Sequence, residues 1–370
     1  MDDDSAVLAI GGSAGGIEAL VELVAGLPAS LPACVLVTVH VGGNSLSSLP
    51  EILGRSGPLP AAHARHGEPL RRGRIYVAPP DFHLLTADGV ARLSSGPKVN
   101  RHRPAIDVMF ASAARWAGPR VVAVVLSGML DDGAVGSALV VRAGGRVVVQ
   151  ASADALFASM PRAALSAVPT ATAIPVGRMG AVLTGAVAEV RAQNTVGGEV
   201  GTLDGIEDEE GGPQMHDTRM GDSDDPGFLS AEEVRLTRLS CPDCTGGLAE
   251  IDVTGLHYYR CHVGHQYSPQ SLEAAQREAV EAKLWAAAAA LEEHAALARH
   301  LATRPNRALG DEVVHSYHRL ADRSSDTART LISRLESGEA VAPPIIADGS
   351  RGGGAVTARY ERRVMLGELP

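Results

Sequence analysis

Ser13, His40 and Asp132, far apart in the chain, are the first residues whose types and settings suggest chemistry. Ser13 lies in AIGGSAGGIEAL, where a strand-like run enters a glycine-rich turn and then a helical pattern. Gly11-x-Ser13-x-Gly15 has the form of a nucleophile elbow. Glycines permit the tight turn. A helix starting there would offer free N–H groups and positive potential to a serine oxygen or a developing oxyanion. His40 ends CVLVTVH, and Asp132 follows the apolar run VVAVVLSGML. A serine nucleophile needs a base within hydrogen-bond reach and an acid that fixes the imidazole tautomer. Singly, each residue has a plainer reading: a phosphate- or cofactor-binding turn, a structural strand-end histidine, and a helix N-cap. The nucleotide readings fit poorly, because the glycines do not match G-x-G-x-x-G and no Walker lysine follows.

A second group is metal-like. CPDC supplies Cys241 and Cys244, and CHVGH supplies Cys261, His262 and His265, with sixteen residues between Cys244 and Cys261. A C-x2-C knuckle with a distant second ligand pair can close a tetrahedron around zinc. His265, at C-x3-H spacing from Cys261, folds back onto the metal more readily than the adjacent His262. Four protein ligands would make the site structural. The plainer reading is a cluster of reduced, unligated cysteines.

The elements that must position these residues read clearly up to about residue 193. AVLAIGG (6–12), CVLVTVH (34–40), RIYVAPP (74–80), VVAVVLSG (121–128) and RVVVQ (146–150) look like strands, and segments such as Ile17–Leu27 and Ile106–Trp116 carry helical spacing. This alternation predicts an α/β fold with a parallel, doubly wound sheet and helices on both faces. The stretch 58–95 reads as short strands, with an antiparallel flap. In a parallel sheet Ser13, His40 and Asp132 all fall at the carboxyl edge, where open α/β sheets place their sites. The chain order Ser, His, Asp differs from that of the α/β-hydrolases.

Beyond this domain (1–194) the composition predicts an acidic, disordered linker (195–228) and a small zinc-ribbon-like module (229–268) with strands at Leu248–Ile251 and His257–Arg260. A helical hairpin (269–340) and a disordered tail (341–370) complete the expected organisation. Ten acidic residues and one basic residue between Glu199 and Asp225 account for most of the net charge of −10. No basic patch is left to suggest nucleic-acid binding. No apolar run approaches 18 residues, so membrane insertion is not expected. The N-terminus is acidic rather than signal-like, and cysteines in metal spacing fit a reducing compartment, so the chain reads as cytoplasmic. Cys34 reads as core packing. His63, His66, His83 and His102 read as surface or local hydrogen-bonding groups, and Arg101, His102 and Arg103 as possible lining of a substrate groove.

GGSAGG, the strand-end His40, RHRPAIDVMF (101–110), LSGMLDDGAVG (126–136) and QASADALFASMPRAAL (150–165) together resemble the catalytic domain of the chemotaxis protein-glutamate methylesterase family (CheB). The resemblance covers roughly residues 5–193. It implies a serine esterase that needs no cofactor for catalysis, with Ser13 as nucleophile, His40 as general base and acid, and Asp132, rather than Asp131, as the triad acid. It also implies that Met129 lies beside the oxyanion site. The implied substrate is a methylated protein helix of a chemoreceptor, whose glutamyl methyl esters are hydrolysed; some members also deamidate glutamine. Two departures stand out. Ala14 replaces the family's usual threonine, and no phosphoacceptor receiver domain precedes Ala6, so control by an attached receiver is not expected. The module and its helices resemble a C-terminal extension of some stand-alone relatives and are expected to dock a protein partner or self-associate. The competing reading is a catalytically weak scaffold or regulator acting through its zinc-binding module.

Overall fold

The computed structural model describes residues 5–40, 48–196, 234–253, 255–303 and 311–337. The expected tail lies outside these residues, as does the expected linker apart from its first two positions. The elements run β1 (Ala6–Gly12), α1 (Gly16–Ala25), β2 (Ala33–Val39), α2 (Leu49–Ser56), β3 (Ala61–His63), β4 (Arg74–Val77), β5 (His83–Ala87), β6 (Val90–Ser94), α3 (Ile106–Ala117), β7 (Val121–Val125), α4 (Ala134–Arg142), β8 (Arg146–Gln150), α5 (Ser159–Ala167), β9 (Thr172–Ile174) and α6 (Val176–Val196).

β1, β2 and β7 are buried at every position, so they read as unbroken apolar runs rather than alternating ones. Seven strands form one parallel sheet in the order β3-β4-β2-β1-β7-β8-β9. Period-two side-chain alternation divides each strand between two cores. Ala6, Leu8 and Ile10 face α1, α2 and α6, while Val7 and Ala9 face α3, α4 and α5. Fully buried leucines such as Leu20 and Leu23 each contribute about 1.5–3 kcal/mol by leaving water. Of the 58–95 stretch, β5 and β6 form the antiparallel hairpin, whereas β3 and β4 join the parallel sheet at its edge.

Strand order reverses between β1 and β7. That is the topological switch point, where connections diverge and leave a crevice at the carboxyl edge.

Four further strands, β10 (Val234–Ser240), β11 (Gly247–Val253), β12 (Leu256–Cys261) and β13 (Gln266–Tyr267), form an antiparallel ribbon in that order. The strands expected at Leu248–Ile251 and His257–Arg260 are the cores of β11 and β12; β10 and β13 add an outer strand on each side. Ile251, Val253 and Tyr258 of the ribbon share one apolar cluster with Val99, Ala105, Val108, Ala111 and Val135. The ribbon therefore packs on α3 and α4 rather than standing apart, and residues through Gln276 belong to one compact unit. The second unit, from Arg277, holds most of α7 (Pro269–Thr303) and all of α8 (Asp311–Glu336). Ala295, Ala298 and Ala321 make the contact between these helices, flanked by the hydrogen bond between His294 and Ser324. No described helix is long and apolar enough to cross a membrane.

Candidate active site and metal centre

Ser13 follows β1 and His40 follows β2, its neighbour in the sheet. Asp132 lies beyond β7 on the other side of β1. The parallel register thus carries all three to the switch-point edge. Gly15, the N-cap of α1, adopts φ 67°, and a Cβ there would come within 2.8 Å of Leu156 Cβ. At Gly128 a Cβ would lie 2.1 Å from Met160 Sδ and 2.9 Å from Ser13 Cβ. Only glycine lets the chain after β7 approach the serine this closely. The Ser13 N–H donates to Ser127 O at 2.9 Å, and Ser127 Oγ donates to Ala14 O at 2.8 Å, which ties the turn to that segment.

The three side chains form one hydrogen-bonded series. Ser13 Oγ lies 3.1 Å from His40 Nδ1, and His40 Nε2 lies 2.7 Å from Asp132 Oδ2. The side chains of His40 and Asp132 are only 6% and 2% exposed, so their hydrogen bond is shielded from water. With Nε2 donating to the carboxylate, Nδ1 is left to accept the serine proton.

Asp132 is held by more than His40. Its Oδ2 also accepts from the Ile106 N–H at 2.7 Å; its Oδ1 accepts from the Asp107 N–H at 3.1 Å, Gly133 N–H at 3.0 Å and Asn100 Nδ2 at 3.0 Å. The carboxylate thus sits on the N-terminal turn of α3, where free N–H groups stabilise negative charge. Burial opposes that charge, but the His40 contact and the Ile106 N–H outweigh it and hold the carboxyl well below its ordinary range. The plainer expectation made Asp132 an N-cap of α4; the N-cap there is Gly133, and it makes no side-chain cap.

Asp131 points elsewhere. Its Oδ1 accepts from Ser268 Oγ at 2.6 Å and Ser271 Oγ at 3.2 Å, at the start of α7. Burial raises its carboxyl. Asp107 is fully buried beside Asp132, and burial together with the charge of Asp132 pushes its carboxyl well above the ordinary value. Two adjacent carboxyls are thereby pushed apart, and the negative charge is concentrated on Asp132.

Several residues here make contacts that their local sequence does not announce. His102 stacks on His40 with ring centroids 3.6 Å apart and planes 9° from parallel. Burial and the charge of His40 lower its basicity well below the usual histidine value. His102 thus touches the base rather than serving as a surface group. His83 is a local hydrogen-bonding group, but a fully buried one. Its Nε2 donates to Pro97 O at 2.9 Å and its Nδ1 accepts from the Ala105 N–H at 3.2 Å. Asn100 and Arg101 both adopt left-handed backbone, φ 49° and 72°, a conformation costing about 1–3 kcal/mol per non-glycine residue unless neighbours enforce it. Arg103 is engaged by Asp81 Oδ1 at 2.7 Å and by the Ser95 and Gly96 carbonyls. Met129 follows Gly128 at the same edge and is half-buried. A cleft of about 590 Å³ opens beside the site, between α4 and α5 on one wall and Gly255–Tyr258 on the other; Ser13 does not line it.

In the ribbon, one ligand atom from each of Cys241, Cys244, Cys261 and His265 lies within 4.8 Å of the others. Cys244 Sγ and Cys261 Sγ are 3.6 Å apart, and His265 Nδ1 is 3.5 Å from Cys261 Sγ and 3.7 Å from Cys241 Sγ. A tetrahedral ion with sulfur at about 2.3 Å demands ligand separations of about 3.8 Å, so this cage fits a zinc-sized ion. The His262 ring instead packs over Gly246, where a Cβ would meet it at 2.2 Å. Cys34 lies in β2 of the main sheet, fully buried as core packing, and burial pushes its thiol up to about 12.

Residues 8–183 match the family model described as CheB methylesterase. The chain is 41% identical over 159 residues to the protein-glutamate methylesterase/protein-glutamine glutaminase 2 of Anaeromyxobacter dehalogenans, covering 43% of this chain and 47% of that protein. It is 39% identical over 181 residues to the protein of the same description from Pseudomonas aeruginosa, covering 48% and 52%. The crystal structure of the Thermotoga maritima CheB methylesterase catalytic domain matches with a TM-score of 0.47 and 28% identity, covering 49% of this chain and 98% of that one. The chain spans about half the length of the curated relatives it matches.

Proposed function

We propose, from the match of residues 8–183 to the CheB methylesterase family model, that the chain is a serine esterase that hydrolyses glutamyl γ-methyl esters on a protein substrate. The unbroken series Ser13 Oγ, His40 Nδ1, His40 Nε2, Asp132 Oδ2 carries this reading. In the proposed reaction Ser13 Oγ attacks the ester carbonyl as its proton passes to His40 Nδ1. Asp132 stabilises the imidazolium through the Nε2–H hydrogen bond. N–H groups at the entry to α1, around Ala14 and Gly15, receive the oxyanion, with Met129 beside it. His40 returns the proton to the departing methoxide, so methanol leaves and a Ser13 acyl-enzyme remains. Water, activated by His40, then releases glutamate. Ala14 supplies no hydroxyl, so oxyanion stabilisation falls to the backbone.

The relatives' names also include protein-glutamine glutaminase. The same steps with ammonia as leaving group would give that reaction, which we include in the proposal. Methylated helices of a chemoreceptor are the proposed substrate. Cys241, Cys244, Cys261 and His265 are proposed to hold a structural zinc, which cross-links the ribbon and takes no part in bond making. Reduced metal-ligand cysteines support a cytoplasmic setting. The helix pair of α7 and α8 is proposed to serve a protein partner or self-association.

The test is methanol release from a methylated chemoreceptor cytoplasmic fragment. Turnover by the wild type and its loss in Ser13→Ala are expected. Release that persists undiminished in Ser13→Ala, or none by the wild type, would contradict the reading.

A further inference from the structure

Metal cage and serine site are only a few bonds apart. His265 is followed directly by Gln266 of β13, whose N–H donates to Lys98 O at 3.2 Å and whose carbonyl accepts from the Asn100 N–H at 2.8 Å. Val99 pairs with Gln266 in a parallel bridge. Two residues further on, the Ser268 N–H donates to Asn100 Oδ1 at 2.9 Å. The ribbon's last strand thus runs along the loop 98–102 as if it were a neighbouring strand. Within that loop Val99 and His102 exchange backbone hydrogen bonds of 2.9 and 3.1 Å, which fixes the turn that lays His102 on His40.

Tyr258 makes a second link. It lies in β12, three residues before the ligand Cys261, and is fully buried. Its hydroxyl donates to Asp107 Oδ2 at 2.7 Å and accepts from Asn100 Nδ2. Asn100 Nδ2 also lies 2.8 Å from Asp107 Oδ2 and 3.0 Å from Asp132 Oδ1. An amide has two N–H donors for these three acceptors, so its aim depends on where the Tyr258 hydroxyl sits. A ribbon docked only to present a surface elsewhere would need apolar contact alone. This one places a phenol and a strand inside the polar network that orients the triad acid.

We propose that the metal-bearing ribbon is a working part of the esterase site: β13 and Tyr258 set the loop 98–102, and through Asn100 and His102 they position Asp132 and His40, so that occupancy of the Cys241, Cys244, Cys261, His265 cage governs turnover. Tyr258 and Asn100 are positioning residues. The inference deepens the esterase reading and rests on it.

The full chain with zinc bound is compared with Tyr258→Phe and with chelator-treated protein, before and after zinc is restored. Three quantities are read: zinc content, kcat and KM for methanol release, and the downfield proton resonance of the His40–Asp132 hydrogen bond. Tyr258→Phe should keep its zinc yet lose about tenfold in kcat with KM within about twofold, and its downfield resonance should shift or broaden. Zinc removal should cost about 10- to 100-fold in kcat, reversed by added zinc, with the same spectral change. An unchanged kcat and an unchanged resonance in both samples would overturn the proposal. If the wild type has no Ser13-dependent turnover, the esterase reading fails, while the resonance still decides whether the ribbon positions Asp132.

Discussion

The imidazole of His102 lies flat on that of His40, 3.6 Å between centroids, so the base of the serine site is covered by a second ring from a loop sixty residues away. Two stacked imidazoles disfavour a second positive charge, and burial together with the charge of His40 lowers the basicity of His102. The stack confines the His40 ring to the plane that joins Ser13 and Asp132. Replacing His102 by alanine should lower kcat by about tenfold, because small misalignments of a base are costly. His102→Phe, which keeps a flat face without nitrogen, should retain most of the rate. Wild-type kinetics in His102→Ala would show that the stack is incidental.

Asp132→Asn should leave KM nearly unchanged and reduce kcat by about 10³–10⁴-fold, since an amide cannot hold the productive tautomer of His40. Its side chain also offers one good acceptor where Ile106, Asp107 and Gly133 now donate to two oxygens. A stability loss of about 1–3 kcal/mol in urea titration is expected alongside. A variant with near-normal kcat would remove Asp132 from the proposed role.

His83 gives a pH signature. Burial lowers its basicity to about 4 from an ordinary 6.5, and Nδ1 accepts the Ala105 N–H only while it is unprotonated. A depressed folded-state value means that its contribution is complete above about pH 6.5 and disappears as pH falls towards 4. The shift corresponds to on the order of 3 kcal/mol. Asp107 and Asp131, with raised carboxyls, act in the opposite sense. The informative quantity is therefore the difference between wild type and His83→Gln in urea unfolding at pH 7, 5.5 and 4.5. That difference should shrink as pH falls; a constant one would contradict the account.

The ligand assignment separates two neighbouring histidines. His262→Gln should keep about one zinc per chain, because its ring packs on Gly246 outside the cage. His265→Gln, and the double change Cys241→Ser with Cys244→Ser, should lose it. Hydrogen-exchange protection should then fall in β10 to β13 while β1, β2 and β7 stay protected. Stoichiometric zinc in the double variant would refute the assignment.

Much of this was legible in the chain. Ser13, His40 and Asp132 each follow an apolar run, and in a parallel sheet such ends share an edge. The cysteine spacing likewise announced its cage. Choosing Asp132 over Asp131 needs a family pattern, because both follow the same strand; in the folded chain Asp131 turns to Ser268 and Ser271 at the start of α7. Asn100, Asp107, His102 and Tyr258 were illegible for a different reason. Their roles depend on two left-handed residues in a loop and on a ribbon more than 150 residues away in the chain. Apolar periodicity carries no trace of such a contact. Glycines did leave a signal, since Gly15 and Gly128 sit where a Cβ would strike Leu156 or Met160.

The most direct test of the serine as nucleophile is reaction with a fluorophosphonate, followed by peptide mapping in the mass spectrometer. A single adduct on Ser13 is predicted, absent from Ser13→Ala and formed far more slowly by His40→Ala and Asp132→Asn. Labelling at another serine with Ser13 unmodified, or equal labelling rates in all variants, would contradict it.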